Sequence, residues 1–174
     1  MSATAVPSIR LAASRDAAFL PRVEAEAGAL FRTLPELAWI ANEAIGPPEA
    51  FLPLIQAGTV WVAEDAAAGV VGELRGEILD DVLHIVELAV TMDFQRRGIG
   101  RRLIDVAVDA AREKGLRALT LTTFRHVAWN GPFYARYGFV ELRGGALDKR
   151  LAETVRAEEV RGLPNRCAMR LDLV

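Results

Sequence analysis

The chain has 174 residues, 25% of them charged and 52% hydrophobic, with a formal net charge of −2 at pH 7. That length suits one domain with a proper core, expected over 1–174, and the charge balance argues against a general nucleic-acid binder. One cysteine, Cys167, and two histidines, His84 and His126, exclude an internal disulfide framework and a cysteine metal cluster, so no metal is expected.

The start, MSATAVPSIRLAASRDAAF, carries charges where a secretory leader needs an apolar run. No segment is long enough to span a bilayer, so a cytoplasmic protein without membrane contact is expected. Residues 8–13 alternate like a first strand. Ser14 or Asp16 then caps a helix running toward Arg32, with Phe19, Leu20, Val23, Ala27, Leu30 and Phe31 at helical spacing. Prolines break 33–58 into short helical pieces, Pro47-Pro48 opening the second and Gly58 closing it. The period then changes. Residues 59–65 (TVWVAED) and 70–79 (VVGELRGEIL) read as strands rich in β-branched residues. Asp80-Asp81 turns into 82–92 (VLHIVELAVTM), whose near-continuous apolar character predicts a strand covered on both faces.

A glycine segment follows, and then a helix with Ile99, Leu103, Val106, Ala107, Ala110 and Ala111 on one face, ended by Lys114-Gly115. Residues 117–124 form another strand, 130–137 a short helix ended by Gly138, and 139–142 a strand. Residues 146–162 (ALDKRLAETVRAEEVRG) read as a surface helix with a thin stripe at Leu147, Leu151 and Val155, and 166–174 as the last strand. Helices before, between and after strands make a single α/β domain with a mixed sheet.

The segment Gln95 to Leu103 (QRRGIGRRL) carries the strongest signal. A strand that feeds a helix through Gly-x-Gly leaves backbone N–H groups unpaired at the helix start. The helix dipole favours an anion there by about 0.3–1 kcal/mol. Glycines let phosphate oxygens approach closely, and arginines fork onto them, so phosphate or pyrophosphate is the natural ligand. A P-loop needs Lys-Ser/Thr after its last glycine, and Arg101-Arg102 stand there instead. A dinucleotide fingerprint needs a small residue where Leu103 sits and an acid after the next strand, which ends as LTLTTF. The plain alternative is a tight turn that binds nothing.

The stretch ELAVTMDFQRRGIGRRLID resembles the central motif of the GNAT superfamily of acyl-CoA-dependent N-acetyltransferases: Gln95-Arg96-Arg97-Gly98-Ile99-Gly100 matches each fixed position of Gln/Arg-x-x-Gly-x-Gly/Ala. Phe133-Tyr134-Ala135-Arg136-Tyr137-Gly138-Phe139 is similar to the family's Tyr-x-Lys/Arg-x-Gly-Phe element downstream. The resemblance implies an α/β (α+β) domain with a mixed, mostly antiparallel sheet of six or seven strands, splayed at the central strands and flanked by helices. It implies acetyl-CoA as cosubstrate, its pyrophosphate held by backbone N–H groups of Gln95, Arg96, Arg97, Gly98, Ile99, Gly100 and Arg101. The backbone of Leu88, Ala89 and Val90 would pair with the pantetheine arm. The family's pantetheine-touching asparagine falls on Val127 here. Asn130, before Gly131-Pro132, reads as a helix N-cap and remains among the cofactor-facing residues.

Acetyl transfer to an amine needs a neutral nucleophile, and with pKa about 10.4 only about one alkyl amine in 10³ is neutral at pH 7. A base must take the proton, and an acid must protonate the leaving thiolate. Glu87 is the candidate base, because a carboxylate within LHIVELAV needs a reason; an ion pair with Arg125 is the bland alternative. His126 is a reserve base, while His84, at odd spacing from Glu87, faces the opposite side of the strand as a structural histidine. Tyr134 is the candidate acid, and Cys167 reads as buried and inert.

The acceptor amine is not legible. Phe31, Trp39, Phe51 and Trp129 could line its pocket and Glu36 and Glu43 could draw a cation, though core packing for most of the aromatics and a solvated face for the acids are the favoured explanations. The insert 144–164 reads as a lid or as the contact of a homodimer. A non-catalytic acyl-CoA sensor and a nucleotide-phosphate binder are the competing functions.

Overall fold

The structure, a computed structural model, describes residues 6–173. Among these, seven strands, β1 (Ser8–Leu11), β2 (Val60–Asp65), β3 (Gly69–Leu79), β4 (Val82–Val90), β5 (Ala118–Phe124), β6 (Val140–Glu141) and β7 (Arg166–Asp172), form a sheet in the order β1-β2-β3-β4-β5-β7-β6. Neighbours pair antiparallel at β1–β2, β2–β3, β5–β7 and β6–β7, and parallel at β4–β5, where Val82–Ile85 face Ala118–Leu121. The α-helices are α1 (Leu20–Gly28), α2 (Leu52–Gln56), α3 (Ile99–Glu113), α4 (Gly131–Tyr137) and α5 (Lys149–Val160). The expected mixed, mostly antiparallel sheet with flanking helices is what the chain forms. It divides into two compact units: 6–77 with Val86–Ala110, and Ile78–Ile85 with 111–173.

The first unit is built on β1–β3. Leu20 and Val23 of α1, with Phe51 and Ile55, pack on Val60 and Val62 of β2, Val70 of β3 and Ala89 of β4. The single helix expected from Asp16 to Arg32 is instead three pieces: a 3₁₀ turn Ser14–Ala18, α1, and a 3₁₀ turn Ala29–Thr33. Buried Asp16 is the reason. Its carboxylate takes the Arg10 guanidinium at 2.7 Å and the Ala13 N–H at 2.7 Å, which closes a tight turn, and the helix restarts with Pro21 in its first turn, where no amide donor is needed. The prolines of 33–58 do break the chain as expected, into 3₁₀ segments Pro35–Asn42 and Pro48–Phe51 followed by α2, and Gly58 ends the run at φ +70°.

Along α3 the buried stripe is Ile99, Leu103, Ile104, Ala107, Val108 and Ala111. Ile104 and Val108 replace the expected Val106 and Ala110, which are half-buried; the buried arc is wide enough to take both sides of the i, i+4 line. The reading of β4 as covered on both faces also fails. Val82, Leu83, Ile85 and Ala89 are buried, but Val86 is 48% exposed and Glu87, Leu88 and Val90 are half-buried. An apolar run does not distinguish a strand closed by protein from one whose second half stays open.

In the second unit, β5 lies between β4 and β7. Helix α5 docks on β5 and β7 through fully buried Leu151. Its start is capped by Asp148, whose Oδ1 accepts the Leu151 N–H at 2.8 Å. Glu158 near its end takes Arg166 of β7 through both oxygens (2.8 and 3.0 Å) and the Thr122 hydroxyl of β5 at 2.7 Å. The insert is therefore pinned to its own strands. His84 Nδ1 lies 3.0 Å from Thr120 Oγ1, its register partner on β5, and burial lowers the ring's pKa to about 4, so it is neutral. Cys167 is buried, and burial raises its thiol pKa, which leaves it a poor nucleophile.

Candidate active site

In the first unit β4 ends at Val90 and the chain turns toward α3. Thr91 N–H donates to Val71 O (2.9 Å), Phe94 N–H to Thr91 O (2.9 Å) and Gln95 N–H to Met92 O (3.2 Å). The Gln95 side chain reaches back, its Nε2 donating to Val90 O at 2.9 Å, so loop and strand end are one rigid piece. Arg96 then adopts φ +58° and Gly98 φ +78°. A left-handed arginine costs about 1–2 kcal/mol, strain of a kind that clusters at ligand-holding turns. Such alternation aims successive N–H groups to one side, a concavity for anions. At the head of α3, Arg102 N–H bonds Gly98 O at 3.1 Å, so the N–H groups of Ile99, Gly100 and Arg101 precede the helical ladder.

The four arginines divide their work. Arg96, Arg97 and Arg101 are exposed, Arg97 lying over the Phe94 ring at 4.9 Å. Arg102 donates Nη1 to Pro7 O at 2.8 Å and is a structural tie.

Glu87 is half-buried on the open half of β4, and its Oε1 accepts the Leu88 N–H at 3.1 Å. Arg125, its suggested ion-pair partner, gives Nε to Glu141 at 3.0 Å. The residue that sequence reasoning missed is Glu73. It is fully buried on β3, with Arg75 Nε 3.1 Å from its Oε2. Burial, and then the charges of Glu87 and Glu24, outweigh the pull of Arg75 and push its pKa up to about 8. The signal was present: Glu-Leu-Arg in a strand places the acid and the base on one face.

In the second unit Asn130 opens α4 through its backbone, Tyr134 N–H donating to Asn130 O at 3.0 Å. The expected side-chain cap is absent. At φ −115°, ψ −110° the residue is outside the extended geometry a capping side chain needs, and its Oδ1 is buried without a hydrogen-bond partner. Tyr134 is buried edge-on between Phe133 (5.2 Å) and Phe139 (5.6 Å). His126 is exposed in the preceding loop.

Residues 56–141 match the family model of the acetyltransferase (GNAT) domain. A probable N-acetyltransferase, camello, from Xenopus tropicalis is 33% identical over 87 residues, 48% of this chain and 39% of the frog protein. The chain thus matches well under half the length of that relative. Rv2747 from Mycobacterium tuberculosis, solved in complex with CoA, superposes with TM-score 0.70 at 20% identity over 97% of this chain and 100% of that one. The PaiA N-acetyltransferase of Thermoplasma acidophilum, solved with coenzyme A, gives TM-score 0.70 at 19% identity, covering 95% and 98% of the two chains. At such identities the structural likeness speaks for fold. The sequence match over 56–141 spans both motifs, and the fold is the one these acetyltransferases share.

Proposed function

We propose that the protein transfers an acetyl group from acetyl-CoA to a primary amine by direct attack. The observation that carries this is the turn from Gln95 to Arg101, where left-handed Arg96 and Gly98 lead into the N–H groups heading α3. Those groups fit a pyrophosphate, which the 15-residue helix favours by its dipole. The half-open backbone of Leu88, Ala89 and Val90 suits the extended pantetheine arm, and the unpartnered Oδ1 of Asn130 suits one of its amides. Acetyl-CoA supplies the activated acyl group, and the protein supplies proton transfers. Glu87 takes a proton from the acceptor ammonium, and the Tyr134 hydroxyl gives one to the departing thiolate.

The test is release of free thiol from acetyl-CoA across polyamines, amino acids, aminoglycosides, arylamines and peptides. Turnover with an amine supports the reading. Tight acetyl-CoA binding without turnover on any amine would instead make the domain a sensor.

A further inference from the structure

Glu73 sits mid-strand in β3, fully buried. Its neighbour Gly72 faces α3, where a Cβ would meet Ile99 at 3.4 Å, so Glu73 points to the opposite side of the sheet. Its register partner Val62 packs there with Leu20 and Val23 of α1. Neither Glu73 Oε1 nor Oε2 has a hydrogen-bond partner, and neither does Arg75 Nε. That nitrogen lies 3.1 Å from Oε2 but is misaligned for a hydrogen bond. Arg75, on the same face of β3, instead gives Nη2 to Glu24 Oε2 of α1 at 2.6 Å, its guanidinium over the Phe51 ring at 4.5 Å. The other charge acting on Glu73 is that of Glu87 on β4, and β2 offers only Val62.

Nε and Nη2 are neighbouring donors on one edge of a planar guanidinium, a pair that can fork onto a single carboxylate. Here that edge is split. Glu24, 28% exposed, takes one donor in good geometry, while sealed Glu73 takes none. An ionised carboxylate shut away from water is unfavourable unless paired and hydrogen-bonded. The arrangement therefore fits a neutral Glu73, and burial does push its carboxyl up to about 8. Once ionised, Glu73 would claim both donors, because water screens the competing attraction at Glu24.

We propose that Glu73, Arg75 and Glu24 form a proton-operated latch on α1. With Glu73 neutral, the guanidinium holds Glu24 and ties α1 to β3. When Glu73 releases its proton to solvent, Nε–H and Nη2–H turn onto its two oxygens, the hydrogen bond to Glu24 breaks, and α1 is freed at that point. The core cluster that α1 closes also contains Ala89. On the acetyltransferase reading the latch thus lies behind the strand proposed for the cofactor arm, but the latch itself does not depend on that reading.

Two measurements test this. Crystals of the whole chain at about pH 6 and about pH 9.5 lie on either side of the Glu73 midpoint. They should show Arg75 Nη2 on Glu24 in the first, and Nε with Nη2 on Glu73 in the second. In ¹³C-carboxyl NMR of glutamate-labelled protein, the Glu73 and Glu24 resonances should step together near pH 8. Glu73→Gln, whose side chain stays neutral, should keep Arg75 on Glu24 at both pH values and remove the Glu24 step. Arg75 still on Glu24 in the wild type at the higher pH overturns the latch, and so does a Glu24 resonance that ignores the titration of Glu73. A Glu73 that titrates in the ordinary glutamate range, about 4–5, overturns it as well. Should Glu73→Gln not fold, the two wild-type measurements decide.

Discussion

Tyr134 and Gly131 show how one residue can be fixed by chemistry or by space alone. Tyr134 is held on two sides by aromatic rings, so its hydroxyl can be removed with little change in packing. Tyr134→Phe is expected to lower kcat about 10²-fold, the contribution of one general acid, and to leave acetyl-CoA affinity unchanged; steady-state kinetics beside calorimetric titration checks both. Gly131 is needed for close approach. A Cβ there would lie 2.5 Å from Arg125 O and 2.9 Å from Phe124 O, both backbone atoms that cannot swing aside. Gly131→Ala should therefore destabilise the protein by about 1–3 kcal/mol, read from urea unfolding, and would displace α4 with Tyr134 on it. The sequence showed Gly131 only as a neighbour of Asn130, because the clash comes from strand-end carbonyls six and seven residues earlier.

At the scale of elements, α5 is informative. Its sequence carries a thin apolar stripe, and a helix so polar could have been a mobile cover. What holds it is polar: Asp148 at the start, and Glu158 with Arg166 and Thr122 near the end. The Arg166 and Glu158 side chains are 11% and 17% exposed, so the pair is largely desolvated. Arg166→Met leaves Glu158 without its cation and should cost about 3 kcal/mol. Asp148→Ala should cost about 1 kcal/mol. Both are checked by thermal or urea unfolding, with hydrogen exchange along α5 reporting whether the loss is local. The same logic explains Asp16, which sequence reasoning offered, beside Ser14, as a helix cap. Its partner Arg10 lies on β1, and the ion pair closes a turn that local propensity did not foretell.

At the scale of the molecule, half-buried His84 and fully buried Glu73 set opposing pH responses. His84 has a folded pKa of about 4 against 6.5, so its contribution to stability is full above pH 6.5 and lost as pH falls toward 4. Glu73 has a folded pKa of about 8 against 4.5, so its contribution is full below pH 4.5 and lost as pH rises through 8. Between 4.5 and 6.5 the slopes cancel, and a plateau is expected. From pH 6.5 to 8 Glu73 acts alone, and stability should fall by about 1.4 kcal/mol per pH unit, some ~2 kcal/mol in all. Urea unfolding from pH 5 to 8.5 tests this, and Glu73→Gln should flatten the alkaline decline.

The alternation of strands and helices, the glycine turn with its arginines, and the paired motifs around Gly98 and Tyr134 were legible in the sequence, because each depends on residues within a few positions of one another. Backbone N–H groups at a helix start need only that local order to become an anion site. The breaking of the first helix, the pinning of α5, the open half of β4 and the charge cluster at Glu73 were decided by the tertiary structure. Each depends on a partner tens of residues away or on solvent exclusion, and a residue's own neighbours in sequence carry no record of which distant charge, ring or carbonyl folding will bring against it.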